Sequence, residues 1–268
     1  MQEIKSFQNS KIKLANKLVN KRQREKEQLF LIDYARDLER ALKQGYQVEF
    51  AFYCEALATE DDTALLSQLD DNLIYAVDDE LMSKASYRQN PGGLVAIMRQ
   101  KSILTVADAI DVKSSHLLVL VGLQKPGNIG ALLRTADAAG INMICLVDSK
   151  LDIYNPNIIR ASTGTVFLDN IYQMSSDEAF GFFSDNQIRI VATHLDGKQS
   201  LYDLDFNIGH TAIVLGTEDK GLDEIWVKRC DALVKIPMVG AVSDSLNVSV
   251  SGAIFMYEVL RQRQPPLP

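Results

Sequence analysis

Five polar side chains that could contact a ligand lie in three glycine-containing segments of this chain. They are Asn128, Arg134, Glu218, Ser245 and Asn247. Together they offer amide, guanidinium, carboxylate and hydroxyl groups, and none of the three segments contains a histidine, the side chain most often used as a general base. We therefore expect these groups to hold and orient a ligand through hydrogen bonds and charge.

The third segment, residues 236–254, is the most informative of the three. An apolar strand end meets Pro237, a small polar loop follows, and Ser245-Leu246-Asn247 then opens a helix that is apolar on nearly every face. Loops between a strand and a helix N-terminus bring backbone N–H and C=O groups close to a ligand. Ser245 and Asn247 fit two interpretations, as helix caps or as groups presented to a substrate.

The first segment, residues 124–140, follows a strand and opens a helix, a context that also suits a dinucleotide-binding turn with Asp148 as the ribose-binding acid. Lys125 replaces the first glycine of that fingerprint, so the match is incomplete. Asn128 and Arg134 lie about 240° apart on an ideal helix, so Asn128 is interpreted as a cap or loop residue. Taken alone, Arg134 fits a solvated surface charge equally well.

The second segment, residues 212–222, is an apolar strand that ends at Gly216 and continues into a tight loop containing Glu218 and Gly221. Glycines let backbone wrap closely around a flat ligand. Glu218 would add a fixed carboxylate to such a loop.

The elements expected to position these groups form a second α/β unit beginning at His116. Its alternation of strands and helices predicts a mostly parallel sheet with ligands at the carboxyl ends of the strands. The predicted strands are Leu117–Val121, Met143–Val147, Arg189–Thr193, Ala212–Leu215 and Leu233–Ile236, and the predicted helices are Ile129–Ala139 and Asn247–Gln262.

The first hundred residues predict a separate, small α/β sandwich. Its expected strands are Leu29–Ile32, Val48–Tyr53, Leu73–Val77 and Gly93–Met98, and its expected helices are Arg36–Lys43 and Asp61–Leu69. We therefore predict a domain over residues 1–98, a linker over 99–115 and a second domain over 116–268.

Composition narrows the class of protein. Cys54, Cys145 and Cys230 show no C-x-x-C spacing and the three histidines are dispersed, so we expect neither a disulfide framework nor a metal site. No apolar run reaches the length of about 18 residues that a membrane span needs, and no secretory signal is evident. These features predict a cytoplasmic protein without a membrane partner.

Charge is unevenly distributed. Residues 1–26 carry eight basic and two acidic side chains, whereas the rest of the chain carries 20 basic and 33 acidic ones, within a net charge of −7. This asymmetry is expected of a nucleic-acid-contacting arm, although a solvated helix face would show it too.

Taken in order, the three segments resemble the signature motifs of the SpoU family of SPOUT-class RNA methyltransferases, over Leu117–Arg263. Residues 157–164 resemble the family's inter-motif stretch, and residues 1–98 more loosely resemble its substrate-binding domain, which has a ribosomal-protein-like fold. That domain commonly has a glycine-containing turn where this chain has Asp33-Tyr34, and Lys125 stands where the family commonly has an acid.

The resemblance implies methyl transfer from S-adenosyl-L-methionine to a ribose 2′-hydroxyl, on a deep trefoil knot (α/β-knot). The implied cofactor site comprises Thr193, Leu195, Gly216, Gly221, Ile236, Met238 and Leu246. The apolar terminal helix, together with the resemblance, implies a homodimer.

The resemblance also implies catalytic roles. The resemblance implies Arg134 as the residue that acts on the ribose hydroxyl. Because a guanidinium does not deprotonate under ordinary conditions, we expect it to bind a phosphate and stabilise the nascent alkoxide instead of removing the proton. Asn128 and Asn247 would orient the ribose and Arg134, Ser245 would assist, and Glu218 would hold the arginine or a loop amide.

The substrate is expected to be 23S ribosomal RNA, ahead of transfer RNA, because an accessory domain favours a large structured RNA. Two alternatives of other classes stay open, a non-catalytic RNA-binding ribosome assembly factor and a nicotinamide-dependent enzyme.

Overall fold

The computed structural model describes residues 1–109, 116–242 and 245–263. These residues form two compact units, the first from residues 1–102 and 152–167 and the second from residues 103–151 and 168–268 as far as they are described. Residues 110–115 of the predicted linker lie outside the described part of the chain.

The first unit contains a mixed sheet in the order β1-β4-β3-β5-β2, in which β5 runs antiparallel to β2 and β3. Its elements in chain order are β1 (Gln2–Glu3), α1 (Ser10–Lys17), α2 (Lys21–Glu27), β2 (Leu29–Ile32), α3 (Ala35–Lys43), β3 (Val48–Tyr53), α4 (Glu60–Leu66), β4 (Ile74–Ala76), α5 (Asp79–Ala85) and β5 (Leu94–Arg99).

The second sheet runs in the order β10-β12-β9-β11-β6-β7-β8, and every neighbouring pair in it is parallel. The remaining elements in chain order are β6 (His116–Val121), α6 (Pro126–Ala138), β7 (Met143–Val147), α7 (Pro156–Ser162), β8 (Ile171–Met174), α8 (Ser176–Asp185), β9 (Ile188–Thr193), β10 (Gln199–Ser200), β11 (His210–Leu215), α9 (Glu224–Arg229), β12 (Ala232–Lys235) and α10 (Val248–Arg263). The predicted mostly parallel α/β sheet is confirmed.

Helix α7 and its flanking residues return to the first unit, which the sequence did not predict. Tyr154 stacks on Phe30 with ring centroids 4.5 Å apart, and Phe167 also packs against Phe30, with centroids 5.7 Å apart. Buried aromatic pairs of this kind add stability beyond the area they bury. Residues 152–167 are therefore part of the first unit's core.

The basic N-terminal segment is folded rather than an extended arm. Helix α1 buries Ile12 and Ala15, and Leu18 follows them into the core. Arg24 is only 1% exposed and forms an ion pair with Asp152, while its guanidinium also donates to the carbonyl oxygen of Leu18. Arg24 therefore fits neither a nucleic-acid-contacting arm nor a solvated helix face, because its charge is buried and paired within the fold.

In the second unit, helices α6 and α10 pack closely on one face of the sheet. A Cβ atom added to Gly252 would lie 2.4 Å from the Leu132 side chain and 2.9 Å from that of Leu215. No side chain larger than hydrogen fits at this crossing without a shift. Gly252 thus sets how near the start of α10 lies to α6 and to strand β11.

Candidate active site

A cavity of about 1000 Å³ opens at the carboxyl ends of strands β9, β11 and β12. Its walls are residues 193–196, 215–221, 234–238 and 245–248, with Ser251 and Phe255 contributed by α10. This is the edge at which open parallel sheets bind ligands. The sequence predicts a ligand site at this edge of the second sheet, and this cavity lies there.

The loop after β11 is a tight turn closed by its own backbone. Thr217 and Gly221 exchange two main-chain hydrogen bonds of 2.9 and 3.0 Å. Gly221 has a φ of +69°, and a Cβ on Gly216 would lie 2.3 Å from the Gly221 carbonyl carbon. Glycine is therefore required at position 216 for the turn to close, and at 221 it avoids a left-handed strain.

Three side chains, one from each sequence segment, meet beside this turn. The amide of Asn128 donates to Glu218 Oε1 at 2.7 Å. The amide of Asn247 donates to Asn128 Oδ1 at 3.2 Å. Residues 90 and 119 positions apart in the chain are thus linked into one hydrogen-bonded network.

The network corrects one interpretation of the sequence. Asn128 is neither a cap nor a loop residue, because α6 begins at Pro126, three residues before the predicted start. Proline is favoured at the first position of a helix, where its missing N–H costs nothing. Asn128 therefore lies inside the first turn of α6, with its side chain directed to Glu218.

Asn247 combines the two interpretations that the sequence left open. It precedes α10 in the N-cap position, where its Oδ1 accepts from the backbone N–H of Ser249 at 2.9 Å. Its amide nitrogen is at the same time directed to Asn128. The side chain is therefore held at both ends, as a residue that positions a ligand would need to be.

Arg134 and Ser245 are both exposed, and neither side chain forms a hydrogen bond or ion pair with any residue that the structure describes. Ser245 lines the cavity, whereas Arg134 lies further along α6 and does not. Glu218 is bonded to Asn128 instead of to Arg134. The guanidinium of Arg134 is thus available to a ligand or to another chain.

All seven residues expected to hold a cofactor line the cavity. They are Thr193, Leu195, Gly216, Gly221, Ile236, Met238 and Leu246. Leu195 is 64% exposed and Met238 38% exposed, which leaves apolar surface open at the cavity mouth. The cavity thus combines apolar side chains with the backbone of the turn, as sites for small heteroaromatic ligands commonly do.

Sequence reasoning missed several cavity residues. Ser251 lines the cavity and follows Asn247 by one turn in α10, and that spacing could have identified it. His194 was set aside with the other dispersed histidines, although it directly follows β9. The Lys125 ammonium, in the first segment, lies 3.7 Å from the carboxylate of Asp219 in the loop of the second segment, so the two side chains form an ion pair.

The contacts of Asp148 weaken the dinucleotide interpretation. Its carboxylate accepts from the hydroxyl and the backbone N–H of Ser176, at 2.5 and 3.1 Å. Ser176 begins α8 and also accepts from the indole N–H of Trp226. Asp148 therefore organises the start of a helix and is not displayed to a ribose.

Two further findings concern only the residues in the described ranges. None of their helices has the length and apolar character to cross a membrane. Within the same ranges, no group of three or more His, Cys, Asp or Glu side chains is arranged to hold a metal ion.

Comparison with known proteins agrees with these observations. The model of the SpoU rRNA Methylase family matches residues 115–257, and that of the MRM3-like substrate binding domain matches residues 9–96. A 23S rRNA (uridine(2479)-2′-O)-methyltransferase of Streptomyces viridochromogenes is 31% identical over 265 residues, which cover 96% of this chain and 90% of that protein.

Solved structures extend the comparison to the fold. A crystal structure of an RNA 2′-O ribose methyltransferase has a TM-score of 0.86 and 35% identity, and the match covers 98% of this chain and 99% of the other. An AdoMet-bound rRNA methyltransferase from Sinorhizobium meliloti has a TM-score of 0.87 and 25% identity, with the same coverage. On the family match and the full-length relatives, this chain belongs to the SpoU rRNA methylase family.

Proposed function

We propose that this protein transfers a methyl group from S-adenosylmethionine to a ribose 2′-hydroxyl of 23S ribosomal RNA. The observation that carries the proposal is the network joining Asn128, Glu218 and Asn247 at the cavity, because it brings three separated motifs to one point. Relatives that match nearly the whole chain are named for the same reaction on the same RNA, which supports the choice of substrate over transfer RNA.

The cavity suits the proposed cofactor in size and in chemistry. Small-molecule sites enclose roughly 300–1000 Å³, and this one is at the upper end of that range. The turn at Gly216 exposes backbone to the cavity, and a Cβ there would collide with Gly221. Apolar side chains of Ile236, Met238 and Leu246 would cover the adenine, while main-chain groups would hydrogen-bond its edge.

When bound, the cofactor supplies an electrophilic methyl group on a sulfonium. The protein must then align the ribose oxygen with that methyl carbon and stabilise the charge that develops as the hydroxyl proton leaves. Asn128 and Asn247 are fixed by their mutual bond and by Glu218 and Ser249. Such preorganised amides would orient the ribose, with Ser245 as an additional donor at the cavity wall.

Arg134 is assigned the charge-stabilising role. A guanidinium does not give up its proton under ordinary conditions, so the proposed role is not that of a base. A bidentate grip on the phosphate beside the reacting nucleotide would fix the substrate, and the positive charge would stabilise the alkoxide. In accord with this role, Arg134 has no partner within the described residues that would compete with a substrate.

We also propose that the active form is a homodimer with a trefoil knot in each second unit. Val250 and Tyr257 on α10 are 47% and 49% exposed, and Val239 and Val242 are almost fully exposed. Apolar surface of this kind marks an interface. Residues 236–238 after β12 and residues 245–247 before α10 line the same cavity as the Gly216 turn, and α10 packs on α6 and β11. This arrangement supports a threaded loop.

The remaining assignments follow from the substrate. The first unit is proposed to bind RNA outside the methylated nucleotide, in agreement with the match to a substrate-binding domain. The activity is placed in the cytoplasm because ribosomal RNA is modified there in bacteria, the source of the relatives described above.

The proposal is tested with purified protein, labelled S-adenosylmethionine and transcripts of 23S, 16S and transfer RNA. We expect label in the 23S transcript, recovered as a 2′-O-methylated nucleotide after digestion. Label in transfer RNA alone would overturn the choice of substrate. Calorimetric binding of NAD without binding of S-adenosylhomocysteine would overturn the enzyme class, and cofactor binding without any methylation would favour an assembly factor.

A further inference from the structure

We propose that the first unit carries a nucleotide-stacking platform that captures a single-stranded base of the RNA substrate. The platform consists of Tyr34, Tyr87, Arg88, Asn157 and Arg160. The inference rests on the proposed RNA substrate and extends it by naming the residues, in the unit without catalytic groups, that contact the RNA.

A buried carboxylate holds the platform in place. Asp33 is 8% exposed, and its Oδ2 accepts from the Ser86 hydroxyl and from the backbone N–H groups of Tyr87 and Arg88, each at 3.0 Å. Because three donors already bond to this oxygen, the Asp33 carboxylate does not require the Arg88 guanidinium as a counter-ion. The chain at 86–88 is thereby fixed beside the start of α3.

Arg88 and Tyr34 form the stacking surface itself. The guanidinium carbon of Arg88 lies 4.1 Å from the centre of the Tyr34 ring. A further bond from Arg88 Nη1 to the Asp33 carbonyl oxygen, 3.1 Å long, prevents the side chain from swinging away. Both side chains are partly exposed. A flat ring paired with a flat cation is a surface on which any nucleobase can stack.

Hydrogen-bonding and charged groups continue from this pair across α7. The Asn157 amide donates to the Tyr87 hydroxyl at 3.0 Å, and Arg160 reaches Asn157 Oδ1 only weakly, at 3.5 Å. Arg160 is exposed, and neither it nor Arg88 forms an ion pair with any described acidic residue. An exposed guanidinium without an acidic partner among the described residues can supply the phosphate contact that a stacked nucleotide requires.

The basic helices at the N-terminus make a weaker candidate for specific capture. There, Lys5 is paired with Glu3 and Lys26 with Glu27, while Arg24 is buried. Exposed lysines such as Lys13 and Lys17 can attract RNA without selecting a conformation. The platform instead adds aromatic faces, which favour unstacked bases of loops and bulges over duplex RNA.

The platform is tested by fluorescence anisotropy with a labelled single-stranded RNA of about twelve nucleotides and the same RNA in a duplex, without cofactor. Replacing Tyr34→Ala is expected to raise the Kd for the single strand about 5- to 100-fold, with a much smaller change for the duplex. Tyr34→Phe keeps the ring and should bind nearly as the wild type does. The matched control is Tyr202→Ala, which removes a tyrosine of the second unit that is 55% exposed.

A second measurement covers the case in which Tyr34→Ala misfolds. Ultraviolet crosslinking of the wild-type protein to the same single strand, followed by mass spectrometry, should identify peptides containing Tyr34 or Tyr87. Crosslinks confined to other peptides, or a folded Tyr34→Ala protein with unchanged Kd, would overturn the platform. Wild-type protein that binds RNA through Tyr34 but methylates no transcript would refute the proposed function and leave the platform standing.

Discussion

Two arginines, one in each unit, show how differently the same charge can be used. Arg24 is 1% exposed, bonded to Asp152 and to two backbone carbonyls. Arg134 is exposed and has no partner in the described part of the chain. The first unit thus uses a cation of its most basic segment for stability, and the second leaves a cation free for a ligand. Counting charges along a sequence cannot separate these uses.

The largest effect is expected at Arg24. Arg24→Met leaves Asp152 buried without its cation, and breaking one side of a buried ion pair costs about 3–5 kcal/mol. Urea denaturation should show this loss in the free energy of unfolding. The double variant with Asp152→Leu should recover the part of the loss that comes from the unpaired charge, but not the part from the lost bonds of Arg24 to the Leu18 and Val19 carbonyl oxygens.

If Arg24→Met unfolds at the same urea concentration as the wild type, the contrast between the two arginines is lost. Arg22→Met is the matched control, since Arg22 is exposed on the same helix. It should unfold like the wild type.

Arg134 should show the opposite behaviour. Arg134→Lys keeps the charge but loses the planar fork that grips a phosphate, so kcat for methyl transfer should fall about 100- to 1000-fold, as for removal of other charge-stabilising groups. The urea midpoint and the calorimetric Kd for S-adenosylhomocysteine should not change. A lysine variant that turns over at a near-normal rate would remove Arg134 from the mechanism.

The network around Asn128 is intermediate between the structural role of Arg24 and the catalytic role of Arg134, because its members bond to one another and also line or adjoin the cavity. Asn128→Ala and Glu218→Ala should each lower kcat about 10- to 100-fold, the range for one hydrogen bond to a charged group. The double variant should be little worse than either single one, since both remove the same bond. Fully additive losses would show that the two residues act independently.

The smallest expected effect is on the pH dependence of the stability of the fold. Burial, with smaller contributions from Arg263 and His210, lowers the pKa of His116 to about 4, and neither of its ring nitrogens has a hydrogen-bond partner among the described residues. Since the folded protein disfavours the charged form, stability should be lost as the pH falls from about 6.5 towards 4. Thermal unfolding of His116→Phe should lack this acid-induced loss of stability. The control His194→Gln, which changes a partly exposed histidine beside Asp196, should keep it.

Much of the fold could be predicted from periodicity. The strands β2, β3 and β7 have the predicted bounds, because their apolar runs are sharply bordered by polar or turn residues. Helix α6 starts earlier than predicted, since Pro126 begins a helix as readily as it breaks one. Helices α8 and α9 and strand β8 were not predicted, and the return of residues 152–167 to the first unit depends on tertiary contacts that no local pattern records.

The candidate site could be predicted in its membership but not in its geometry. Motif order identified Glu218 and Asn247 and the cavity residues, yet nothing in the sequence shows that Asn128 bonds to both of them. In the sequence, Tyr34 differed from expectation only because the related domain commonly has a glycine-containing turn at its position. Its partner Arg88 is 54 residues away, and only the fold brings the two side chains together.

The central claim is that this protein methylates ribose oxygens of ribosomal RNA. A 2′-O-methyl group protects the adjacent phosphodiester from alkaline cleavage, so sequencing of alkali-treated RNA maps each modified nucleotide. In RNA from cells lacking the gene, we predict that protection disappears at one or a few nucleotides of 23S RNA and returns with the wild-type gene but not with Arg134→Lys. An unchanged protection profile in cells without the gene would contradict the account.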